Sequence, residues 1–108
     1  MKVFSLFSGV GGFDKAMTEL GHEIVGACEI DSHARSVYAR QFPGVFIYED
    51  ATKVQPSELS GFDILCAGFP CQAFSVAGKR LGFSDTRGTL FFEIARIARE
   101  KRPSYLFL

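Results

Sequence analysis

Cys71 is the residue whose type and setting most favour covalent chemistry. It lies in Ala67-Gly68-Phe69-Pro70-Cys71-Gln72, a segment that leaves a predicted strand. Pro70 fixes its own φ angle and restricts the residue before it, so the chain direction into Cys71 is well defined. A thiol held on such a corner above a ligand crevice is a candidate nucleophile. Cys28 and Cys66 fall inside predicted strands and are interpreted as small buried apolar residues.

A glycine turn, Ser8-Gly9-Val10-Gly11-Gly12, joins the first predicted strand to a helix. Glycines allow a ligand to approach the backbone closely, and the helix N-terminus offers free N–H groups. The spacing departs from the dinucleotide fingerprint because Asp14 occupies the position of its third glycine. A carboxylate there disfavours a pyrophosphate and favours a ligand without phosphates. The alternative is a turn that only connects strand to helix.

Acidic residues follow the second and third predicted strands. Glu29 comes twenty residues after Gly9, where a carboxylate typically binds a ribose. Asp50 could accept a hydrogen bond from an adenine amino group. The alternative is that Glu29, Asp31 and Asp50 cap the elements that follow, and Asp31 is interpreted as such a cap. Taken with the glycines, Glu29 and Asp50 favour a nucleoside ligand, with S-adenosylmethionine as the leading candidate.

A long irregular segment is predicted from Gly68 to Gly88, and its length is typical of a functional loop. Its second half carries the cations Lys79, Arg80 and Arg87. These residues fit a lid that closes on the phosphates of a nucleic acid, or an ordinary solvated surface loop.

The composition is that of one small globular domain of 108 residues. Twelve basic and twelve acidic side chains cancel, so net charge neither indicates nor excludes a nucleic-acid partner. Three cysteines and two histidines show no spacing typical of a metal site or a disulfide framework. Free thiols, with no long apolar run and no signal peptide, predict a cytoplasmic protein without membrane contact.

Short apolar runs alternate with helical patterns, which predicts an α/β fold with a mostly parallel sheet and flanking helices. The predicted strands are 3–7, 24–30, 45–48 and 62–67, with another beginning at Tyr105. The predicted helices are 13–20, closed by Gly21, and 32–41, followed by Pro43, with one turn at most around 56–59.

The longest predicted helix is 90–101, stopped by Pro103. Its apolar face comprises Leu90, Phe91, Ile94, Ile97 and Ala98, and Arg96, Arg99 and Arg102 are expected to face outward. Ligands of parallel sheets bind beyond the carboxyl ends of the strands, where both the glycine turn and the Pro-Cys segment fall.

Three segments resemble motifs of the DNA cytosine-5 methyltransferases, especially the bacterial restriction-modification members. Residues 4–13 (FSLFSGVGGF) are similar to their cofactor motif, and residues 68–75 (GFPCQAFS) to their nucleophile motif. Residues 85–92 (DTRGTLFF) also resemble the family. The similarity covers the whole chain as the N-terminal part of a catalytic domain, with a partial Rossmann-like methyltransferase fold.

The resemblance implies an S-adenosylmethionine site. Glu29 would hold the ribose, Ile30 would pack on the adenine, and Asp50 with Ala51 would bind its amino edge. The other residues expected to bind the cofactor are Phe7, Gly9, Gly11, Gly12, Phe13, Pro70 and Leu90.

The resemblance also implies that Cys71 adds to carbon 6 of a flipped cytosine, so that carbon 5 accepts the methyl group. Ser75, Lys79, Arg80 and Arg87 would contact double-stranded DNA.

The family continues with a Glu-Asn-Val motif and a target recognition region that do not appear by Leu108. The chain is therefore expected to need a C-terminal part or subunit for activity. Alone, it should bind S-adenosylmethionine weakly or not at all and tend to self-associate. Two alternatives are a non-catalytic nucleoside-binding or assembly module and a nicotinamide-binding redox domain. Asp14 and the Pro70-Cys71 corner weaken the second.

Overall fold

Five parallel strands form one sheet in a computed structural model that describes residues 1–68 and 86–108, with side chains for 1–68 and 90–108. The strands are β1 Lys2–Leu6, β2 Glu23–Cys28, β3 Ile47–Tyr48, β4 Ile64–Ala67 and β5 Tyr105–Phe107. They are ordered β3-β2-β1-β4-β5 across the sheet. The helices are α1 Gly12–Glu19, α2 Ser32–Gln41 and α3 Thr86–Lys101, with 3-10 turns η1 Ala51–Lys53 and η2 Pro56–Glu58. The predicted α/β fold is confirmed.

The central strand β1 separates two differently composed cores, because its side chains alternate between the faces of the sheet. Phe4 and Leu6 face a large apolar cluster, and Val3 packs in a smaller cluster with the partly buried Met17 of α1. The large cluster includes Ile94 and Ile97 of α3, as the predicted apolar face of that helix requires. Its other buried members are Cys28, Ala51, Val54, Leu59, Phe62, Leu65 and Ala67.

A buried polar network ties β1 to α1 and α2 on the opposite face. Asp14 in the first turn of α1 is 1% exposed, and its carboxylate accepts hydrogen bonds from the Ser5 and Tyr38 hydroxyls. Burial raises the pKa of Asp14 above its usual value, an effect that both hydrogen bonds oppose. Removal of the phenol from water raises the pKa of Tyr38, and the Asp14 carboxylate adds to that rise.

Local chemistry sets the helix ends largely as predicted. Asp31 caps α2 by accepting a hydrogen bond from the His33 N–H at 3.0 Å. Gly21 follows α1 with a φ of 90°, a left-handed conformation that glycine adopts without steric cost. Arg102 takes a φ of 50° after α3, directly before Pro103.

Several predicted boundaries are wrong. Helix α3 begins at Thr86 and not at Leu90, so the predicted irregular segment is shorter by residues 86–88. Strand β2 ends at Cys28, two residues early, and β3 keeps only Ile47 and Tyr48. The 3-10 turn η1 was not predicted.

The prediction that Arg96 faces solvent is correct only in part, because its side chain is 36% exposed but its guanidinium is bound. Its guanidinium contacts Glu93 of α3 and two carbonyl groups of η1 and the residue after it. Arg99 and Arg102 are exposed as expected. Within residues 1–68 and 86–108, no helix combines the length and apolar character needed to cross a membrane.

Candidate functional site

A cavity of about 340 Å³ lies at the carboxyl ends of the central strands. Four of the five strands contribute the residue that directly follows them: Phe7 after β1, Glu29 after β2, Glu49 after β3 and Gly68 after β4. The full lining is Phe7, Gly9, Cys28, Glu29, Ile30, Glu49, Asp50, Ala51, Gly68 and Leu90. The volume is within the range of small-molecule sites.

Most of the predicted cofactor residues lie together around this cavity: Phe7, Gly9, Glu29, Ile30, Asp50, Ala51 and Leu90. Gly12 and Phe13 line a neighbouring cavity of about 500 Å³, which also contacts Phe7 and Gly68. The two cavities are therefore adjacent and share Phe7 and Gly68 as lining residues.

Gly11 has a different surrounding. It is buried under α2 with a φ of 98°, and a Cβ atom placed on it would lie 2.6 Å from the Phe42 ring and 3.0 Å from the Tyr38 ring. Glycine is required here for packing of the turn against α2. Gly9, with a φ of 59°, leaves open space where its Cβ would be, so its backbone is accessible from the cavity.

Glu29 links the glycine turn to the end of β2. One carboxylate oxygen accepts a hydrogen bond from the Gly9 N–H at 2.8 Å, and the other accepts from the Asp31 N–H at 2.9 Å. Each oxygen keeps a second lone pair for a ligand hydroxyl. The carboxylate is thus held in place by the backbone before any ligand arrives.

Arg35 of α2 lies outside the cavity and stabilises the segment that contains Glu29. Its role was not predicted from the sequence. Its guanidinium donates to the carbonyl oxygens of Glu29 at 3.0 Å and Ile30 at 2.8 Å. It also pairs with the cavity residue Glu49 at 3.0 Å. These partners lie up to fourteen residues away in the sequence, so spacing alone could not reveal them.

Asp50 both caps η1 and lines the cavity. Its Oδ1 atom accepts from the Thr52 hydroxyl at 2.7 Å and the Thr52 N–H at 3.0 Å. The two Thr52 hydrogen bonds, side chain first, hold the pKa of Asp50 below its usual value. The capping interpretation is therefore correct, and it is compatible with a second role at the cavity.

Asp14 does not act on the ligand as predicted, because its carboxylate faces the core between α1 and α2 and not the cavity. The acids that do line the cavity are Glu29, Asp50 and Glu49. Glu49 was not singled out, although it precedes Asp50 in the sequence.

Cys28 and Cys66 are buried apolar residues, as predicted, each 1% exposed. Burial raises the pKa of Cys28 to about 12, with a further contribution from Glu29, and burial raises the pKa of Cys66 to about 11. Neither thiol is therefore activated at neutral pH, although Cys28 lines the cavity.

The predicted nucleophile, the predicted DNA contacts and the predicted cofactor residue Pro70 lie outside the described part of the chain. These residues are Pro70, Cys71, Ser75, Lys79 and Arg80, together with the side chain of Arg87. Gly68, the last described residue before them, lies at the cavity, so the chain enters the Pro-Cys segment from the site itself. Among the described residues, no group of three potential metal ligands is placed to hold an ion.

Comparison with known proteins gives concordant matches. The family model for C-5 cytosine-specific DNA methylase matches residues 1–108. Type II methyltransferase M.HhaI of Haemophilus parahaemolyticus is 49% identical over 108 residues, which is 100% of this chain and 33% of that protein. M.HpaII of Haemophilus parainfluenzae is 50% identical over 105 residues, 95% of this chain and 29% of that protein. The chain spans about a third of the length of these relatives.

Solved structures agree. A prophage-encoded Escherichia coli protein described as a DNA modification methyltransferase superposes with a TM-score of 0.76 at 29% identity, covering 95% of this chain and 30% of that one. Spodoptera frugiperda DNMT2 gives a TM-score of 0.65 at 32% identity, covering 89% of this chain and 30% of that one. With its parallel sheet, its cavity beyond the strand ends and a family match along its whole length, this chain belongs to the C-5 cytosine-specific DNA methylases.

Proposed function

We propose that this chain forms the cofactor site and supplies the nucleophile for methyl transfer from S-adenosylmethionine to carbon 5 of cytosine in DNA. The observation that carries the proposal is the arrangement of Gly9, Glu29 and Asp50 around one nucleoside-sized cavity in a chain of this family. S-adenosylmethionine supplies the electrophilic methyl group when bound.

The cavity residues fit an adenosine. Glu29 would accept hydrogen bonds from the ribose hydroxyls, since its orientation is already fixed by two backbone N–H groups. The exposed apolar side chain of Ile30, 71% accessible at the rim, would pack on the adenine ring. Asp50 and the backbone of Ala51 would bind the amino edge of the base.

Charge favours a cationic ligand over a phosphorylated one. Three carboxylates line the cavity, from Glu29, Glu49 and Asp50. The guanidinium of Arg35 is engaged by Glu49 and two carbonyl groups. A sulfonium centre is attracted to such a site, whereas a pyrophosphate is repelled. The repulsion of a pyrophosphate thus comes from these cavity carboxylates and not from Asp14. It disfavours a nicotinamide dinucleotide as the ligand.

Cys71 would supply the nucleophile. Its thiolate adds to carbon 6 of a flipped cytosine, carbon 5 takes the methyl group, and loss of the carbon 5 proton then breaks the bond between sulfur and carbon 6. Its position only three residues beyond Gly68 supports this role, because Gly68 lies at the cavity wall. Ser75, Lys79, Arg80 and Arg87 would contact the DNA.

A C-terminal part would cover the outer edge of β5. Tyr105, Leu106 and Phe107 are about half exposed, and Phe107 also contacts the Phe13 ring at 5.2 Å between centroids. Without that part, the apolar edge should drive self-association. Light scattering should report a species larger than the monomer, and a strictly monomeric chain at micromolar concentration would contradict this.

A covalent trapping experiment tests the catalytic proposal. The chain is mixed with the C-terminal two-thirds of a relative such as M.HhaI, S-adenosylmethionine and duplex DNA containing 5-fluorocytosine. Fluorine cannot leave as a proton does, so the bond to Cys71 should persist as a denaturation-resistant adduct.

Two substitutions provide the controls. Cys71→Ser should abolish the adduct, whereas Cys66→Ala, which changes a buried thiol of high pKa, should retain it. Absence of an adduct in the wild-type mixture, or its persistence in Cys71→Ser, would overturn the assignment.

A further inference from the structure

Arg96 lies on α3, outside the cavity, yet it contacts the turn that forms one of its walls. Its guanidinium donates to the carbonyl oxygens of Ala51 at 3.0 Å and Val54 at 2.9 Å. It also pairs with Glu93 at 2.7 Å. All three partners are held by one side chain that is 36% exposed.

The two carbonyl groups belong to the first residue of η1 and to the residue that directly follows it. A 3-10 turn of three residues supplies little internal hydrogen bonding, and the Val54 N–H reaches the Ala51 carbonyl only at 3.3 Å. The Lys53 N–H also donates to the Asp50 carbonyl at 3.0 Å, and the guanidinium adds two hydrogen bonds that tie η1 to α3. Asp50 and Ala51, which we call the adenine wall, begin this same turn and line the cavity.

We propose that Arg96 is a positioning residue that sets the adenine wall for recognition of the adenine amino group. The inference rests on the proposed S-adenosylmethionine site. It adds the residue that makes this site prefer adenine over a base without the amino group. A guanidinium binds two acceptors with a rigid planar group. It therefore fixes both the distance of η1 from α3 and the orientation of η1 relative to α3.

The chain offers a matched control on the same helix. Lys101 of α3 donates to the Leu59 carbonyl at 2.8 Å, at the end of η2. This contact has the same chemistry, a cation on α3 bonded to the carbonyl end of a 3-10 turn, but η2 does not line the 340 Å³ cavity. Loss of the Lys101 contact therefore measures how ligand binding responds when α3 is held less firmly, without a change at the adenine wall.

The experiment compares two ligands that differ at the adenine amino group. Dissociation constants of S-adenosylhomocysteine and its inosine counterpart are measured by NMR titration, which reaches millimolar affinities, on the 108-residue chain mixed with the C-terminal two-thirds of a relative such as M.HhaI. The ratio of the two constants reports recognition of the amino edge. A variant that is merely less stable weakens both ligands equally and leaves the ratio unchanged.

Arg96→Met should bring the ratio close to one, with a loss of roughly tenfold in affinity for the adenine ligand, which corresponds to about 1.4 kcal/mol. Lys101→Met should keep the wild-type ratio. Arg96→Lys keeps the charge but not the planar group, so it should give an intermediate ratio even if the methionine variant folds poorly.

The outcomes separate the two proposals. A wild-type chain that binds neither ligand even when mixed with the C-terminal two-thirds of a relative such as M.HhaI would overturn the proposed cofactor site itself. Wild-type discrimination that survives in both Arg96 variants, or that is lost equally in Lys101→Met, would leave the cofactor site intact and overturn the role of Arg96.

Discussion

The two faces of the sheet are stabilised by different chemistry. Under α3 the core is apolar, with Leu6, Leu65 and Ile97 fully buried. Under α1 and α2 the buried side chains include a carboxyl group and two hydroxyls from Asp14, Ser5 and Tyr38. An apolar core tolerates many side chains of similar volume, whereas a hydrogen-bonded network fixes a particular arrangement.

The polar face is the one beneath the glycine turn. Asp14 lies in the helix that the turn begins, and Tyr38, whose hydroxyl donates to Asp14, packs its ring at the Gly11 position. The network thus fixes the turn that carries Gly9 to the cavity. The α3 face therefore contributes the larger apolar core together with the Arg96 contacts to η1, and the α1–α2 face contributes the hydrogen bonds that fix the glycine turn.

The largest expected effect is on the apolar face. Ile97→Ala should lower the free energy of unfolding by about 2–5 kcal/mol, because the side chain is fully buried and leaves a cavity. Urea denaturation followed by circular dichroism measures this. Leu20→Ala removes an equally large side chain that is 74% exposed and should change stability by less than about 0.5 kcal/mol. Similar losses in both variants would contradict the assigned core.

A smaller, pH-dependent effect is expected on the polar face. Since folding raises the pKa of Asp14, the native state binds more protons at this site than the unfolded chain. The stability that this group contributes is full below the pKa of an aspartate in the unfolded chain, 3.8, and is lost as pH rises through the folded-state pKa. The stability advantage of the wild type over Asp14→Asn should therefore be greatest in acid and shrink toward neutral pH.

Denaturation curves at several pH values test this, and each pKa unit of elevation corresponds to about 1.4 kcal/mol of change in that difference. Tyr38→Phe keeps the titrating carboxyl group and removes a hydrogen bond that lowers its pKa, so it should retain the pH dependence. A wild-type advantage that grows with pH would show that the hydrogen bonds outweigh burial.

The sequence predicted the order of elements and most of the cavity because both depend on local signals. Apolar runs marked the strands, Asp31 and Gly21 marked helix ends, and the acids after the strands converged because parallel strands end at one edge. The resemblance to a family added roles for these residues that the pattern alone left open.

What the sequence did not predict depends on contacts between distant residues. The partners of Arg96 are carbonyl groups 42 and 45 residues away, and carbonyl groups carry no sequence signature. The direction of Asp14 depends on the rotation of α1 about its axis, which its position in a glycine motif does not specify. The same holds for Gly11, whose neighbours come from α2 and the residue that follows it.

Phe7 has an energetically unfavourable backbone conformation at the edge of the site. It adopts a φ of 52°, a left-handed conformation that costs a non-glycine residue about 1–2 kcal/mol. Its ring packs, partly buried, against the large apolar cluster, and the residue lines both cavities. Burial of the ring against this cluster offsets the backbone cost, so Phe7 contributes to the core and to the ligand cavity at once. Efforts to make this domain more robust should therefore leave residue 7 unchanged.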